Sequence, residues 1–221
     1  MALGPRSRQK KLEKKAAKRK AVHAKKKASH AEGISLLKQI ELASKSPIHE
    51  CLAPETIFET GIGHVIVSRE LPNGDIAAGF FLVDVYCLGI KSAFFQVMPE
   101  SEFRRKVGGV SSVDKLGEVD PSFARKLLEG AEAYAAQIGL EPHPDYRLAE
   151  KIFGDIDAAA CPAEFTFGYN DKPLFMQGPH DTPAKCRKIM DTLSGRLGPD
   201  GFDYILSWKE RFPDEFQELE D

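Results

Sequence analysis

Cysteine is scarce in this chain: Cys51, Cys87, Cys161 and Cys186 are widely spaced among 221 residues and never form a CxxC pair. That spacing argues against a disulfide-stapled secreted scaffold and against a zinc ribbon, and it fits reduced thiols in a cytoplasm. Long apolar stretches are missing as well. The longest, Ile76 to Ile90, is broken by Asp84 and falls short of the roughly 20 residues that a membrane helix needs. No membrane association is expected. The basic start of the chain is not followed by an apolar segment, so no secretory signal is read and the expected compartment is cytoplasmic. Gly61 and Gly63 make only a GxG without the following helix that a phosphate loop requires. There is no internal repeat, no cofactor motif and no signal for parallel βαβ units.

Acidic residues are nearly absent from the N-terminus. The formal net charge of −2 comes from 31 basic and 33 acidic residues, which conceals a split. Twelve of the basic residues lie in one short stretch: Arg6, Arg8, Lys10, Lys11, Lys14, Lys15, Lys18, Arg19, Lys20, Lys25, Lys26 and Lys27, beside the single acid Glu13. This stretch carries about +11, and the remaining 19 basic and 32 acidic residues leave the rest at about −13. Its composition favours helix, but like charges four apart, such as Lys10 with Lys14, repel, and no apolar stripe is present. Residues 1–30 are therefore expected to form a basic arm, disordered or conditionally helical, ahead of a single globular domain over 31–221. Cations at this density are the footprint of phosphate binding, because each neutralised phosphate releases a counterion. The expected partner is nucleic acid or ribosomal RNA, held largely without regard to sequence. No aromatic residue is interleaved, which argues against base stacking. The acidic body should repel a polyanion unless a local patch such as Arg104, Arg105 and Lys106 intervenes.

The body reads as α+β. A helix is expected over 34–43, and a short one between Pro54 and Gly61. Strands over 64–71 and 75–87 are joined by Pro72, Asn73 and Gly74, a strong signal for a three-residue hairpin loop with a glycine bulge. Helices follow over 99–107, over 121–138 with Asp120 as N-cap, and over 146–153. A second hairpin is expected between 164–167 and 174–177, turning through Tyr169, Asn170 and Asp171. Thr182 caps a helix with Pro183 in its first position, ending near Leu197. A last segment, 202–212, holds Trp208. The expected architecture is an antiparallel sheet built from two hairpins and packed with several helices, preceded by the flexible basic arm.

The chemistry centres on Asp84. The stretch from Asp75 to Ile90 is apolar on both faces, and a buried, unpaired carboxylate there costs several kcal/mol or takes up a proton. The hairpin loop sets Leu71 opposite Asp75, hence Ile62 opposite Asp84 and His64 opposite Leu82, which leaves His64 diagonal to Asp84 on one face. Such a pair orients a histidine as a general base, with Cys87 or Cys51 as nucleophile, although Cys87 points to the opposite face. The structural reading has Asp84 accepting hydrogen bonds from a loop backbone, His64 or Lys91. His49 and Cys51 resemble a pair of metal ligands, with Cys87, Cys161 or His180 to complete a set, but no zinc spacing supports them and no metal is assigned. Asp155, Asp157 and Glu164 suit a magnesium ion, or a polar capped turn. The run Gly178 to Thr182 before a helix suits an anion, or an ordinary cap.

The blocks IHECL, GIGHVIVSRELPNGDIA, FFLVDVYCLGIKSAF and FGYNDKPLFMQGP resemble an uncharacterised family of bacterial proteins. The resemblance covers about two-thirds of the chain, leaves out the arm, and implies a bacterial cytoplasmic protein without transferring a catalytic residue or a cofactor. The expected function is that of a nucleic-acid- or ribosome-associated binding protein. The rival readings are a hydrolase built on Asp84 and His64, and a protein-interaction module using the acidic body.

Overall fold

A computed structural model describes residues 35–206; the basic arm and the segment around Trp208 lie outside them. The chain divides into two compact units between Gln39 and Ile40, and only residues 35–39 of the first are described. Residues 36–39 begin α1 (Leu36–Ala43), and the short helix expected between Pro54 and Gly61 is α2 (Ile57–Thr60).

The second unit is α+β. Its sheet takes β1 (Ile48–Pro54), β2 (Ile62–Glu70), β3 (Asp75–Asp84), β4 (Gly89–Pro99) and β5 (Leu116–Glu118) in the order β4-β3-β2-β1-β5, every pair antiparallel. The first hairpin has the expected register: Ile62 faces Asp84, His64 faces Leu82 and Glu70 faces Ile76. Its loop closes through Leu71 N–H to Asp75 O and Gly74 N–H to Leu71 O, both 2.9 Å. Alternation then sorts the apolar residues. Ile66, Ile76, Ala78 and Phe80 pack on one face against Phe103 of α3 (Glu100–Asp114). Val65, Val67, Phe81 and Val83 pack on the other against Leu127, Leu128 and Ala131 of α4 (Pro121–Gln137). Asp120 caps α4 as expected, accepting from Ser122 N.

The apolar stretch expected as one long strand is instead split. β3 stops at Asp84, Val85–Leu88 form a turn, and β4 returns beside it. The second hairpin of the sheet is therefore β3–β4, not the one expected over 164–177. Tyr169, Asn170 and Asp171 do turn, with φ of +50° and +64° at Asn170 and Asp171, and Tyr169 bridges Lys172. The flanks cannot extend into a ladder because their amides are taken elsewhere: Gly168 N–H donates to Val85 O and Leu174 N–H to Tyr86 O. Phe165 and Phe167 are drawn into an aromatic cluster with Phe58, Phe123 and Tyr134.

A short parallel unit, absent from the expectation, closes the described chain. β6 (Leu174–Met176) and β7 (Asp203–Ile205) pair in parallel across α6 (Pro183–Leu197). The strand expected over 174–177 is present as β6, but it pairs with β7 and not with 164–167, and the three residues of β7 carry no periodic pattern. Phe175, Cys186, Ile189, Leu193 and Phe202 from this unit bury Cys87 and Leu88 of the β3–β4 turn in a core of their own. The expected helix over 146–153 is α5 (Tyr146–Ala149) followed by a 3-10 turn, Glu150–Phe153.

Arg69 of β2 fastens that turn. It is 2% exposed, and it donates to Ile152 O at 2.8 Å, Ser46 O at 2.5 Å, Phe153 O at 2.6 Å and Asp155 Oδ1 at 2.9 Å. Gly154 lets the chains approach: at φ +52°, a Cβ there would lie 2.0 Å from Ser44 O. Among the described residues no helix is long and apolar enough to cross a membrane.

Candidate functional site

Asp84 ends β3 because its side chain replaces the ladder. Its Oδ1 accepts Tyr86 N–H at 3.0 Å and Cys87 N–H at 2.8 Å, the local side-chain-to-backbone bonding that starts a turn. The residue is 2% exposed. Burial pushes its carboxyl up; the Cys87 N–H, the Lys91 charge and the Tyr86 and Leu88 N–H groups pull it back, leaving it at about 6. The loop-backbone reading of Asp84 is the one the geometry displays.

The expected pairing of His64 with Asp84 is not formed. The register that sets them diagonal is present, but His64 finds a nearer carboxylate at the C-terminal end of α3. Asp114 Oδ2 accepts His64 N–H at 2.7 Å and sits 2.5 Å from Nδ1. Asp114 lies 50 residues away in sequence, so no local pattern pointed to it. The ring is oriented through Nδ1, leaving Nε2, as in a general base. The thiols expected to serve it are poorly suited. All four cysteines are buried. Burial, then the Asp84 charge, raises the Cys87 thiol, and burial pushes Cys51 up to about 12. Neither supplies a thiolate near neutrality.

The metal candidates are likewise committed to other groups. His49 packs edge-on against Phe103, with Nε2 2.9 Å from Arg104 Nη2. Asp155 binds Arg69, Asp157 caps Ala159 N, and Glu164 pairs with Lys126. Among the described residues no three His, Cys, Asp or Glu side chains converge to hold a metal ion. In the basic patch Arg104 pairs with Glu50 and Glu100, while Arg105 and Lys106 stand 3.9 Å from the same Glu102 oxygen.

The run Gly178 to Thr182 proves more informative. Thr182 caps α6 as expected, accepting from Lys185 N. Asp181 beside it is 9% exposed and binds two lysines at once: Oδ2 accepts Lys91 Nζ at 3.0 Å and Gly178 N–H at 2.9 Å, and Oδ1 accepts Lys185 Nζ at 2.7 Å. Burial alone would raise its carboxyl, but these hydrogen bonds outweigh burial and hold it at about 2. Lys91 is the third residue of β4, so one ammonium acts on both Asp84 and Asp181. The two lysines edge a cavity of about 240 Å³, whose other walls include Leu88, Ile90, His143 and Ile189. A larger groove of about 440 Å³ runs between Val119–Phe123 and Ala160–Ala163. Its polar side chains satisfy each other, since Ser122 Oγ donates to Asp120.

The sequence signalled Asp181 only as part of a helix start and Lys91 only as a partner for Asp84. Their 90-residue separation hid the centre they form. No protein-family model, curated protein or solved structure matches the chain.

Proposed function

We propose that the protein is a nucleic-acid- or ribosome-associated binding protein whose Lys-rich arm engages phosphate backbones while an acidic α+β body is carried beside it. The observation that carries the reading is the charge split: twelve cations between Arg6 and Lys27 against one acid, with the opposite sign on the rest of the chain. The 2.8 Å pair of Arg104 with Glu50 supports it from the other side, because it occupies the closest-held cation of the body's Arg104–Lys106 patch. The hydrolase reading is weaker, since His64 and Asp84 are engaged separately and the thiols are buried.

The test is a binding titration with duplex DNA and with ribosomal RNA fragments across a salt series. With about six to ten phosphates neutralised, affinity should fall by roughly 10³ to 10⁵ between 50 and 200 mM salt, and removal of residues 1–27 should abolish it. Binding that survives removal of the arm, or that is insensitive to salt, would sink the reading. Capture of a protein partner by the armless body, independent of nucleic acid, would favour the interaction-module alternative.

A further inference from the structure

We infer that the cavity beside Lys91 and Lys185 is a binding site for a small organic anion, one carboxylate or phosphate head on a short apolar body. The head is specified by hydrogen-bond donors. Lys91 and Lys185 both bind Asp181, and Lys91 also acts on the buried Asp84, so two ammonium groups and two carboxylates balance, and what the centre offers a ligand is charged N–H donors. Each ammonium has three donors and gives one to Asp181, which leaves donors for a second anion. The lysines bind opposite oxygens of the same carboxylate and both line the cavity, so a head seated there meets donors from two elements, β4 and α6. Gly178 is part of this arrangement: a Cβ there would lie 2.7 Å from Lys91 Nζ and 3.0 Å from Asp181 Oδ2, so a larger residue would dislodge the pair.

The body of the ligand is specified by the walls. Leu88, Ile90 and Ile189 are buried residues that line the space, and Leu140 continues it. A volume of about 240 Å³ is below the usual drug-sized pocket and suits a single ring or a short alkyl chain. His143 is anchored by its own N–H to Ile90 O at 2.9 Å, and its Nδ1 accepts Asp145 N–H, so Nε2 is the ring atom left for a ligand. Glu141, exposed at the rim, is the lining group that opposes an anion. Lys91 is 13% exposed, so a ligand meeting it is shielded from water and gains more from the charge than at an open surface. This site is independent of the arm and of the polyanion it engages.

The experiment is a titration of isotope-labelled full-length protein with phenyl phosphate, phenylacetate and neutral 2-phenylethanol, followed by amide chemical shifts. Saturable shifts at 88–91, 140, 141, 143 and 189 are expected for at least one anion, with Kd below about 1 mM. The neutral alcohol should bind at least about tenfold more weakly. Lys185→Gln, at a half-exposed side chain, should raise the Kd at least about fivefold, while Lys188→Gln on the same helix should not. Which anion binds assigns the head as phosphate or carboxylate. The inference is overturned by shifts that do not saturate, by equal affinity for the alcohol, or by equal effects of the two lysine variants. Should Lys185→Gln lower the melting temperature, the comparison of anion with alcohol decides alone.

Discussion

Replacing Asp84 by Asn tests the central electrostatic claim. The carboxyl moves from 3.8 to about 6 in the folded protein, roughly two units at about 1.4 kcal/mol each. A native pKa above the ordinary value means that the stability contributed by the protonated form is complete below about pH 4 and lost as pH rises through 6. The loss is about 1 kcal/mol at pH 4.5 and about 3 kcal/mol at pH 8. Asn keeps the oxygen that accepts from Tyr86 and Cys87 N–H and never ionises. Its extra NH₂ displaces an oxygen and takes back about 1 kcal/mol. Asp84→Asn should therefore be more stable than the parent by about 2 kcal/mol at pH 8, and this advantage should shrink by about 2 kcal/mol on going to pH 4.5. Urea unfolding of both proteins over that range measures the difference directly, and the other titrating groups cancel. Asp84→Ala is the control: it does not ionise either, but it leaves two buried N–H groups without an acceptor, so it should be less stable than Asp84→Asn by about 2–4 kcal/mol at every pH. An Asn-minus-parent difference that is flat with pH, or that falls as pH rises, refutes the account.

Arg69→Met tests the buried guanidinium. It removes the donor from the carbonyls of Ser46, Ile152 and Phe153 together, so a loss of about 3–5 kcal/mol is expected in denaturant melts, and a loss under 1 kcal/mol would show that those carbonyls find other partners. Tyr146→Phe should have the opposite sign. The Tyr146 hydroxyl is buried and finds no hydrogen-bond partner among the described residues, so its removal should be neutral or stabilise by about 1 kcal/mol; clear destabilisation in the same melts would mean that the hydroxyl is bonded.

Local chemistry was legible in the sequence wherever one short segment decides the outcome. The loop Pro72, Asn73 and Gly74 set the β2–β3 register, and Thr182 with Pro183 set the start of α6. Asp84 stands out in the sequence because an acid within an apolar stretch needs a partner or a proton. Its neighbours also made it look like mid-strand, since the turn residues Val85–Leu88 are as apolar as a strand. They are apolar because two packed cores share them, a tertiary reason that periodicity does not carry. The same limit hid Asp114 from His64 and Asp181 from Lys91. Charge complementarity has no sequence period, and only the folded sheet brings residues 50 or 90 apart within 3 Å. The strand over 174–177 was legible and is present as β6, but its partner was not: β7 has three residues, too few to show alternation, and lies beyond α6.

The turn at Val85–Leu88 also shapes how the molecule comes together and comes apart. Val85 gives its N–H to Gly61 and its carbonyl to Gly168, Tyr86 receives Leu174, and Cys87 and Leu88 fill the core of the β6–α6–β7 layer. That layer has only a three-residue ladder of its own, and its tie to Tyr86 spans 88 residues of chain. Closing so long a loop is worthwhile only once the β3–β4 hairpin has already shaped the turn. The C-terminal layer is thus a late joiner in folding and an early leaver under stress, and amide exchange at Gly168 and Leu174 should report the opening of a turn some eighty residues upstream.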